Sequence, residues 1–145
     1  MKVTLVPAEP YHVDSVFLNL SEQSLAELRD GGVPVAQYRD NVAEWVANGT
    51  AYAIVSEDRT LALFGFVDYG SYLSMWTATA QAGFSAGVKG VLAARRIVDM
   101  FRLGKPVYVI TPATHPGIVR WLGMLGFSLQ RDDRPDGGPA VFRLG

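Results

Sequence analysis

The sequence contains no cysteine, which excludes disulfide bonds, a thiol nucleophile and thiolate metal sites. It also lacks a basic excess, because 13 Lys and Arg stand against 14 Asp and Glu and give a net charge of -1. Nucleic acids and anionic membranes attract proteins with a basic surplus, so neither is expected as a partner. No apolar run approaches the roughly 20 residues that span a bilayer, and the first residues do not resemble a signal peptide. These absences predict a soluble protein that is located in a cytoplasm or inside a particle.

Histidine is also scarce, with only His12 and His115, and these lie far apart in the sequence. Two histidines this far apart and the lack of cysteine predict no metal site. What is present, 145 residues of which 49% are hydrophobic and 19% charged, is the composition of a single globular domain over residues 1–145.

Hydrophobic periodicity predicts a short strand, a helical region and then a β-rich region. The strand covers Lys2 to Val6. Apolar residues recur at helical spacing from Tyr11 to Leu20 and from Val35 to Val46, and Ser21 could cap a further helical piece through Leu28. Three β-rich segments follow and predict an antiparallel meander: Ala51 to Glu57, Leu61 to Gly70 and Ser71 to Ala80.

The second half predicts helices and strands in alternation. A long helix is expected from about Ala86 to Arg102, followed by an apolar strand from Lys105 to Thr111. Another helix, capped near His115, ends at Gly126, and a hairpin closes the chain. The predicted order is β-α-α-β-β-β-α-β-α-β-β, an α/β (α+β) domain with helices on both faces of a central mixed sheet.

This order, with its ending Leu125-Gly126-Phe127 after a helix, resembles the GCN5-related N-acetyltransferase (GNAT) fold over nearly the whole chain. In that fold two central strands, here Ser71–Ala80 and Lys105–Thr111, splay apart and open a V-shaped slot for acetyl-coenzyme A. The resemblance therefore implies an acetyltransferase-like protein with acetyl-coenzyme A as cofactor if it is active, and with no cofactor if its role is structural.

A narrower resemblance is to GNAT-like proteins of tailed bacteriophages, including relatives of internal virion proteins. It rests on Met75-Trp76-Thr77 after the meander, Arg120-Trp121-Leu122, and Leu125-Gly126-Phe127. This resemblance implies a virion-associated or assembly role, in the virion or the host cytoplasm, with protein partners or self-association.

The cofactor loop departs from the family pattern. In active members a Gln or Arg and a glycine-rich turn lead into the long helix, where backbone N–H groups hold the pyrophosphate. The matching stretch here is Gln81-Ala82-Gly83-Phe84-Ser85-Ala86. Gln81 and Ala86 fit the pattern, whereas Phe84 stands where glycine is expected, unless Gly83 takes that role. Trp76 and Thr77 of the preceding strand are expected beside the cofactor.

The catalytic acid and base of the family also have no clear counterpart. Leu122 stands where the family often places a tyrosine that protonates the departing thiolate. The strand from Tyr72 to Thr77 carries no base, which leaves Asp68 and His115 as substitutes. For both, the alternative is purely structural, with Asp68 forming a turn and His115 capping a helix. Trp76 and Trp121 could moreover fill the slot with their indoles.

The residues thus lead to two functional hypotheses. The first is a phage-type GNAT fold that has lost catalysis and acts as a virion-associated or assembly module. The alternative is an acetyl-coenzyme A-dependent N-acetyltransferase that acts on an amine. A filled slot favours the first hypothesis, and an open slot with free strand N–H groups favours the second.

Overall fold

The structure of the chain, a computed structural model, describes residues 3–57, 59–81, 95–96, 98–99, 104–111, 120, 122–131 and 140–144. Three helices precede the second strand: α1 (Pro10–Leu18), α2 (Glu22–Asp30) and α3 (Val35–Ala47). The strands are β1 (Thr4–Pro7), β2 (Ala51–Ser56), β3 (Arg59–Asp68), β4 (Leu73–Thr79), β5 (Val107–Thr111), β6 (Ser128–Arg131) and β7 (Ala140–Leu144).

The helical region holds three helices where the predicted order counts two. The division falls at Leu20, which leaves the helical path and forms an isolated antiparallel bridge with Ala80. Ser21 then starts α2, because its side chain accepts a hydrogen bond from the Ser24 N–H at 3.1 Å. This cap directs α2 toward the end of β4.

The strands form one seven-stranded sheet in the order β1-β2-β3-β4-β5-β7-β6. The antiparallel pairing of β2, β3 and β4 confirms the predicted meander. β4 and β5 are parallel, and they pair only through Leu73 with Val107 and Ser74 with Tyr108. Beyond these two pairs the strands separate, so the expected splay of the two central strands is present.

Apolar side chains cover both faces of the sheet and form two cores. Against one face pack Val13 and Val16 of α1 and Val42 and Val46 of α3. The other core contains Val98, from a segment that is helical where it is described, together with Leu122 and Leu125. The remaining buried members of this second core come mainly from the strands: Ile54, Leu61, Phe64, Phe66, Leu73, Met75, Val107, Phe127 and Phe142. Helical segments on both faces agree with the predicted α+β architecture.

The Leu125-Gly126-Phe127 step is the C-terminal cap of the last helical segment. Gly126 has φ of +100°, a conformation that side chains with a Cβ rarely adopt. Its N–H donates to the Gly123 carbonyl at 3.0 Å, and the Phe127 N–H donates to the Leu122 carbonyl at 2.9 Å. The glycine therefore allows the chain to turn back and bury Phe127 in the core.

Within the described ranges, none of the helices combines the length and the hydrophobicity that crossing a membrane requires.

Candidate functional site at the strand splay

One edge of β4 faces the splay, and alternation of the strand decides which backbone groups point there. The Ala80 N–H donates to the Leu61 carbonyl of β3, whereas the Leu73 N–H donates to the Pro106 carbonyl on the opposite side. Backbone groups of an antiparallel strand alternate between its two edges. The amides and carbonyls of Thr77 and Thr79 therefore point away from β3, toward the splay.

We call the far part of this edge, formed by the backbone of Thr77, Thr79 and Gln81, the outer end of the splay. Most of its backbone groups already have partners in the chain. Ser24 of α2 accepts a hydrogen bond from the Thr79 N–H at 3.1 Å, and the Ser21 N–H donates to the Thr79 carbonyl at 2.8 Å. The Gln81 N–H donates to the Asn19 carbonyl at 2.7 Å. The start of α2 and the turn before it thus occupy the edge that a strand-bound cofactor would use.

The part nearer the last β4–β5 pair, which we call the inner end of the splay, is open. It contains a cavity of about 570 Å³, within the range of small-molecule sites. The cavity is bounded by β4, β5, α2 and the start of α3. Its described lining residues are Ser24, Glu27, Leu28, Asp30, Gly31, Val33, Tyr38, Ser74, Met75, Trp76, Thr77, Val109 and Ile110.

Glu27 supplies a carboxyl group with unusual acidity to this cavity. Burial raises the pKa of Glu27 to about 7, and a hydrogen bond from Gln23 opposes this rise in part. Burial removes hydration from a carboxylate, which favours the protonated form. Near neutral pH the group can therefore give up or take a proton, as a general acid or base does.

Tyr38 closes the side of the cavity next to β4. Its hydroxyl donates to the Thr77 carbonyl at 2.7 Å, so another backbone group of the outer end has a partner. Burial, and secondarily the charge of Glu27, raise the pKa of Tyr38, which keeps the phenol protonated. The Tyr38 ring also contacts Trp45, with ring centroids 6.2 Å apart in an edge-to-face arrangement.

Trp76 lines the cavity and also belongs to the core between the sheet and the helices. Its indole stacks on Trp45, with ring centroids 5.0 Å apart, and lies over Gly65. A Cβ at Gly65 would approach the indole to 2.6 Å, so this glycine is needed to seat the ring. Trp76 therefore forms a wall of the cavity and leaves about 570 Å³ of it open.

The structure places Asp68 at the turn between β3 and β4. Its carboxylate accepts a hydrogen bond from the Gly70 N–H at 2.8 Å and contacts Lys105 Nζ at 3.1 Å. The Gly70 N–H and then Lys105 lower the pKa of Asp68, which makes it a weaker base. Among the described residues Asp68 is not part of the cavity wall. A role in proton transfer remains a prediction, whereas the turn-forming role matches these contacts.

Other predicted site residues fall outside the residues that the structure describes: Gly83, Phe84, Ala86, His115 and Trp121. Leu122 is described, and it is 2% exposed within the core. No hydroxyl is therefore available at the position where the family often has tyrosine.

Glu27 is a candidate functional residue that was not predicted from the sequence. A single glutamate on a polar helix gives no motif, and its significance depends on where α2 packs. One signal was available, because Ser24, Glu27 and Leu28 recur at helical spacing and share one face after the Ser21 cap. Ser24 and Leu28 are both buried, which brings Glu27 inward with them.

The sequence matches no protein-family model and none of the curated proteins. Solved structures, however, match over almost the whole chain. The PaiA N-acetyltransferase from Thermoplasma acidophilum, in complex with coenzyme A, superposes with a TM-score of 0.70 at 7% identity, covering 99% of this chain and 98% of that one.

Two further structures give similar values. A GNAT-family acetyltransferase from Bacillus anthracis has a TM-score of 0.67 at 13% identity, covering 99% of this chain and 95% of that one. A phosphinothricin acetyltransferase from Sinorhizobium meliloti, in complex with acetyl-coenzyme A, has a TM-score of 0.66 at 13% identity, covering 99% and 88%. The chain has the GNAT fold. At these identities the likeness shows the fold and leaves the activity to the residues of the site.

Proposed function

We propose that this GNAT-fold chain is a non-catalytic module that does not bind acetyl-coenzyme A. The observation that carries the proposal is the occupied outer end of the splay. A cofactor held along β4 needs strand N–H and carbonyl groups, and those of Thr79 already bond to Ser24 and Ser21. Opening this edge to a cofactor would break both hydrogen bonds and leave the Ser21 N–H and the Ser24 hydroxyl to find new partners, at about 0.5–1.5 kcal/mol for each bond.

The loss of the acid supports the same proposal. Leu122 is buried among apolar residues and has no proton to give to a departing thiolate. Asp68 is exposed and paired with Lys105, which suits a turn.

A module without catalysis works through contacts with other proteins, and one face of the sheet offers a suitable surface. Tyr108 of β5 packs edge-to-face on Tyr72 at 5.5 Å, and Arg143 of β7 lies over the Tyr108 ring at 5.7 Å. Tyr69 and Ile110 are each 59% exposed. Aromatic residues and arginine are enriched in protein interfaces. We assign the partner to a virion or assembly protein, or to a second copy of the chain, on the strength of the phage-like motifs.

The test of the closed slot is a calorimetric titration of the purified chain with acetyl-coenzyme A, with coenzyme A as control. We expect no saturable heat up to ~1 mM, a dissociation constant that corresponds to about -4.1 kcal/mol. Saturable binding near or below ~100 μM would contradict the proposal. The Ser24→Ala variant extends the test. If acetyl-coenzyme A binds this variant more tightly than the wild-type chain, Ser24 is the group that closes the edge.

The second candidate is an acetyl-coenzyme A-dependent N-acetyltransferase that acts on an amine, and Glu27 is the observation that favours it. A carboxyl with a pKa of about 7 beside the splay is suited to remove a proton from an ammonium group. Here the cofactor would rest on the Gln81–Ala86 loop, with His115 or Asp68 assisting. Acetyl transfer to any member of an amine panel, lost in Glu27→Gln, would establish this candidate.

A further inference from the structure

The start of α1 is held by a reciprocal pair of hydrogen bonds between Glu9 and His12. The Glu9 N–H donates to His12 Nδ1 at 2.9 Å, and the His12 N–H donates to the Glu9 carbonyl at 2.9 Å. In a common helix cap, a glutamate or glutamine at the third helical position accepts from the backbone N–H of the capping residue. Here an imidazole takes that place, so the cap depends on a group that titrates near neutral pH.

Only the neutral form of the His12 imidazole can make this contact. A ring nitrogen that accepts a hydrogen bond carries no proton, whereas both nitrogens of an imidazolium ion are donors. The contact therefore requires the tautomer with its proton on Nε2. A proton taken up from solvent at Nδ1 would set two donors against each other. Since His12 is 2% exposed, the charged ring would also lose most of its hydration.

The surroundings of His12 oppose its protonation overall. Burial lowers the pKa of His12, and the negative charge of Glu9 offsets this effect in part. The Tyr11 ring lies 4.0 Å from the imidazole, between ring centroids. α1 packs mainly on β3 and α3. β3 contributes hydrophobic side chains to the shared core, and Arg39 of α3 pairs with Asp14 of α1 at an exposed position.

We propose that His12 makes the start of α1 an acid-sensitive latch, in which protonation of the imidazole releases the Glu9 N–H and opens the first turns of the helix. These turns carry Val13 and Val16, which are buried in the core against the sheet. Opening them presents apolar surface that is hidden at neutral pH. The latch goes beyond the non-catalytic function above and does not depend on it, because Glu9 and His12 are not among the described residues that line the cavity.

The direction of the pH dependence follows from the lowered pKa of His12. Closed α1 binds the proton less tightly than open α1, in which His12 has its ordinary pKa of 6.5. The contribution of the latch to stability is therefore present above pH 6.5 and is lost as the pH falls toward the lower pKa of the closed form. From pH 7.5 to pH 5 the opening equilibrium constant rises by at most about 30-fold, the limit set by protonation of the released imidazole.

The test is native-state hydrogen exchange of the α1 amides at pH 7.5 and pH 5, in the wild-type chain and in His12→Gln. Protection factors, corrected for the intrinsic pH dependence of exchange, report how often each amide opens. In the wild-type chain we expect α1 protection to fall by about five- to 30-fold at pH 5 and to lie below the protection of β3. In His12→Gln we expect a change of less than about twofold, because glutamine offers an acceptor that does not titrate.

The matched control is His115→Gln, which removes the other histidine of the chain and retains the loss of α1 protection. In this variant His12 is the single histidine, so nitrogen NMR reads its imidazole directly. We expect the proton on Nε2 at pH 7.5 and a titration midpoint below 6.5, the ordinary pKa of histidine.

Four results would overturn the latch: a fall in wild-type α1 protection of less than about fivefold, an equal fall in His12→Gln, equal protection of α1 and β3 at pH 5, or a His12 imidazole that titrates at or above its ordinary pKa. The NMR titration uses His115→Gln and decides the question even where His12→Gln does not fold. None of these results depends on acetyl-coenzyme A, whose titration tests the non-catalytic function separately.

Discussion

The two ends of the β4–β5 splay differ in whether the backbone groups of the exposed strand edge have hydrogen-bond partners within the protein. At the outer end the protein bonds to itself, through Ser21, Ser24 and Asn19. At the inner end it leaves a cavity of about 570 Å³ with the Glu27 carboxyl in its wall. The helix α2 and the turn before it therefore cover the strand edge at one end of the splay and leave a cavity at the other end. The difference shows that local residues, here Ser21 and Ser24, decide how much of the strand edge stays accessible within the same fold.

The largest effect on stability is expected from Gly65→Ala, because position 65 packs against Trp76 in the wall of the inner end. The new Cβ would lie 2.6 Å from the Trp76 indole and 2.7 Å from the Thr50 carbonyl oxygen. Because the indole is wedged against Trp45, it cannot move without repacking, and we expect a loss of about 3 kcal/mol in the free energy of unfolding. Urea denaturation measures this loss.

The matched control is Gly123→Ala, whose Cβ would meet nothing within 4 Å. Gly123 lies in a helical segment, so alanine there is neutral or stabilising. If both substitutions lower the free energy of unfolding equally, the close contact between position 65 and the Trp76 indole is not the cause of the loss.

The next effect concerns the burial of Glu27 at the inner end. Its pKa is raised from 4.5 to about 7 in the folded chain, so the folded state holds the proton more tightly than the unfolded state. Its contribution to stability is fully present below about pH 4.5 and is lost as the pH rises through about 7. We expect this loss to be on the order of 2 kcal/mol after allowance for partial exposure.

Glu27→Gln removes the ionisation and should flatten this part of the stability–pH curve, with the variant more stable than wild type at pH 8. Chemical denaturation between pH 4.5 and pH 8 compares the two chains. Parallel curves would mean that the Glu27 carboxyl is as hydrated in the folded chain as in the unfolded one.

A somewhat smaller effect is expected at the outer end from Ser24→Ala. This change removes the acceptor for the Thr79 N–H and leaves a part-buried amide without its partner. We expect a loss of about 1–2 kcal/mol in the free energy of unfolding. Ser71→Ala, at an exposed position, serves as the control and should change stability by less than about 0.5 kcal/mol. A neutral Ser24→Ala would show that water replaces the serine, and that the outer end is more open than its hydrogen bonds indicate.

Much of the fold was readable from the sequence because local periodicity and turn residues carry it. The meander, the apolar β5 strand and the Gly126 cap each depend on residues close together in the chain. The predicted order counts two early helices where three form, although the Ser21 cap that starts α2 was readable from the sequence. The bridge from Leu20 to Ala80 joins residues 60 apart and was not readable.

The site was less predictable, because its features arise between elements that are distant in sequence. The commitment of the Thr79 backbone to Ser24 and the acidity of Glu27 both follow from the packing of α2 against β4. The spacing of Ser24, Glu27 and Leu28 shows that they share one face of α2, but no pattern within either segment shows that this face meets β4. The loss of an acidic group at Leu122 could be read directly, since it needs only the residue type and its distance from Gly126.

The smallest effect is expected from Tyr38→Phe, which tests the boundary between the two ends. The substitution removes the 2.7 Å hydrogen bond to the Thr77 carbonyl and keeps the ring against Phe17 and Trp45. We expect a loss of about 1 kcal/mol in the free energy of unfolding, the typical net value of one hydrogen bond. Tyr11→Phe, at a side chain that is 61% exposed, is the control and should be neutral. If Tyr38→Phe also leaves stability unchanged, the Thr77 carbonyl reaches water through the cavity. The inner end would then extend further along β4 than the hydroxyl contact suggests.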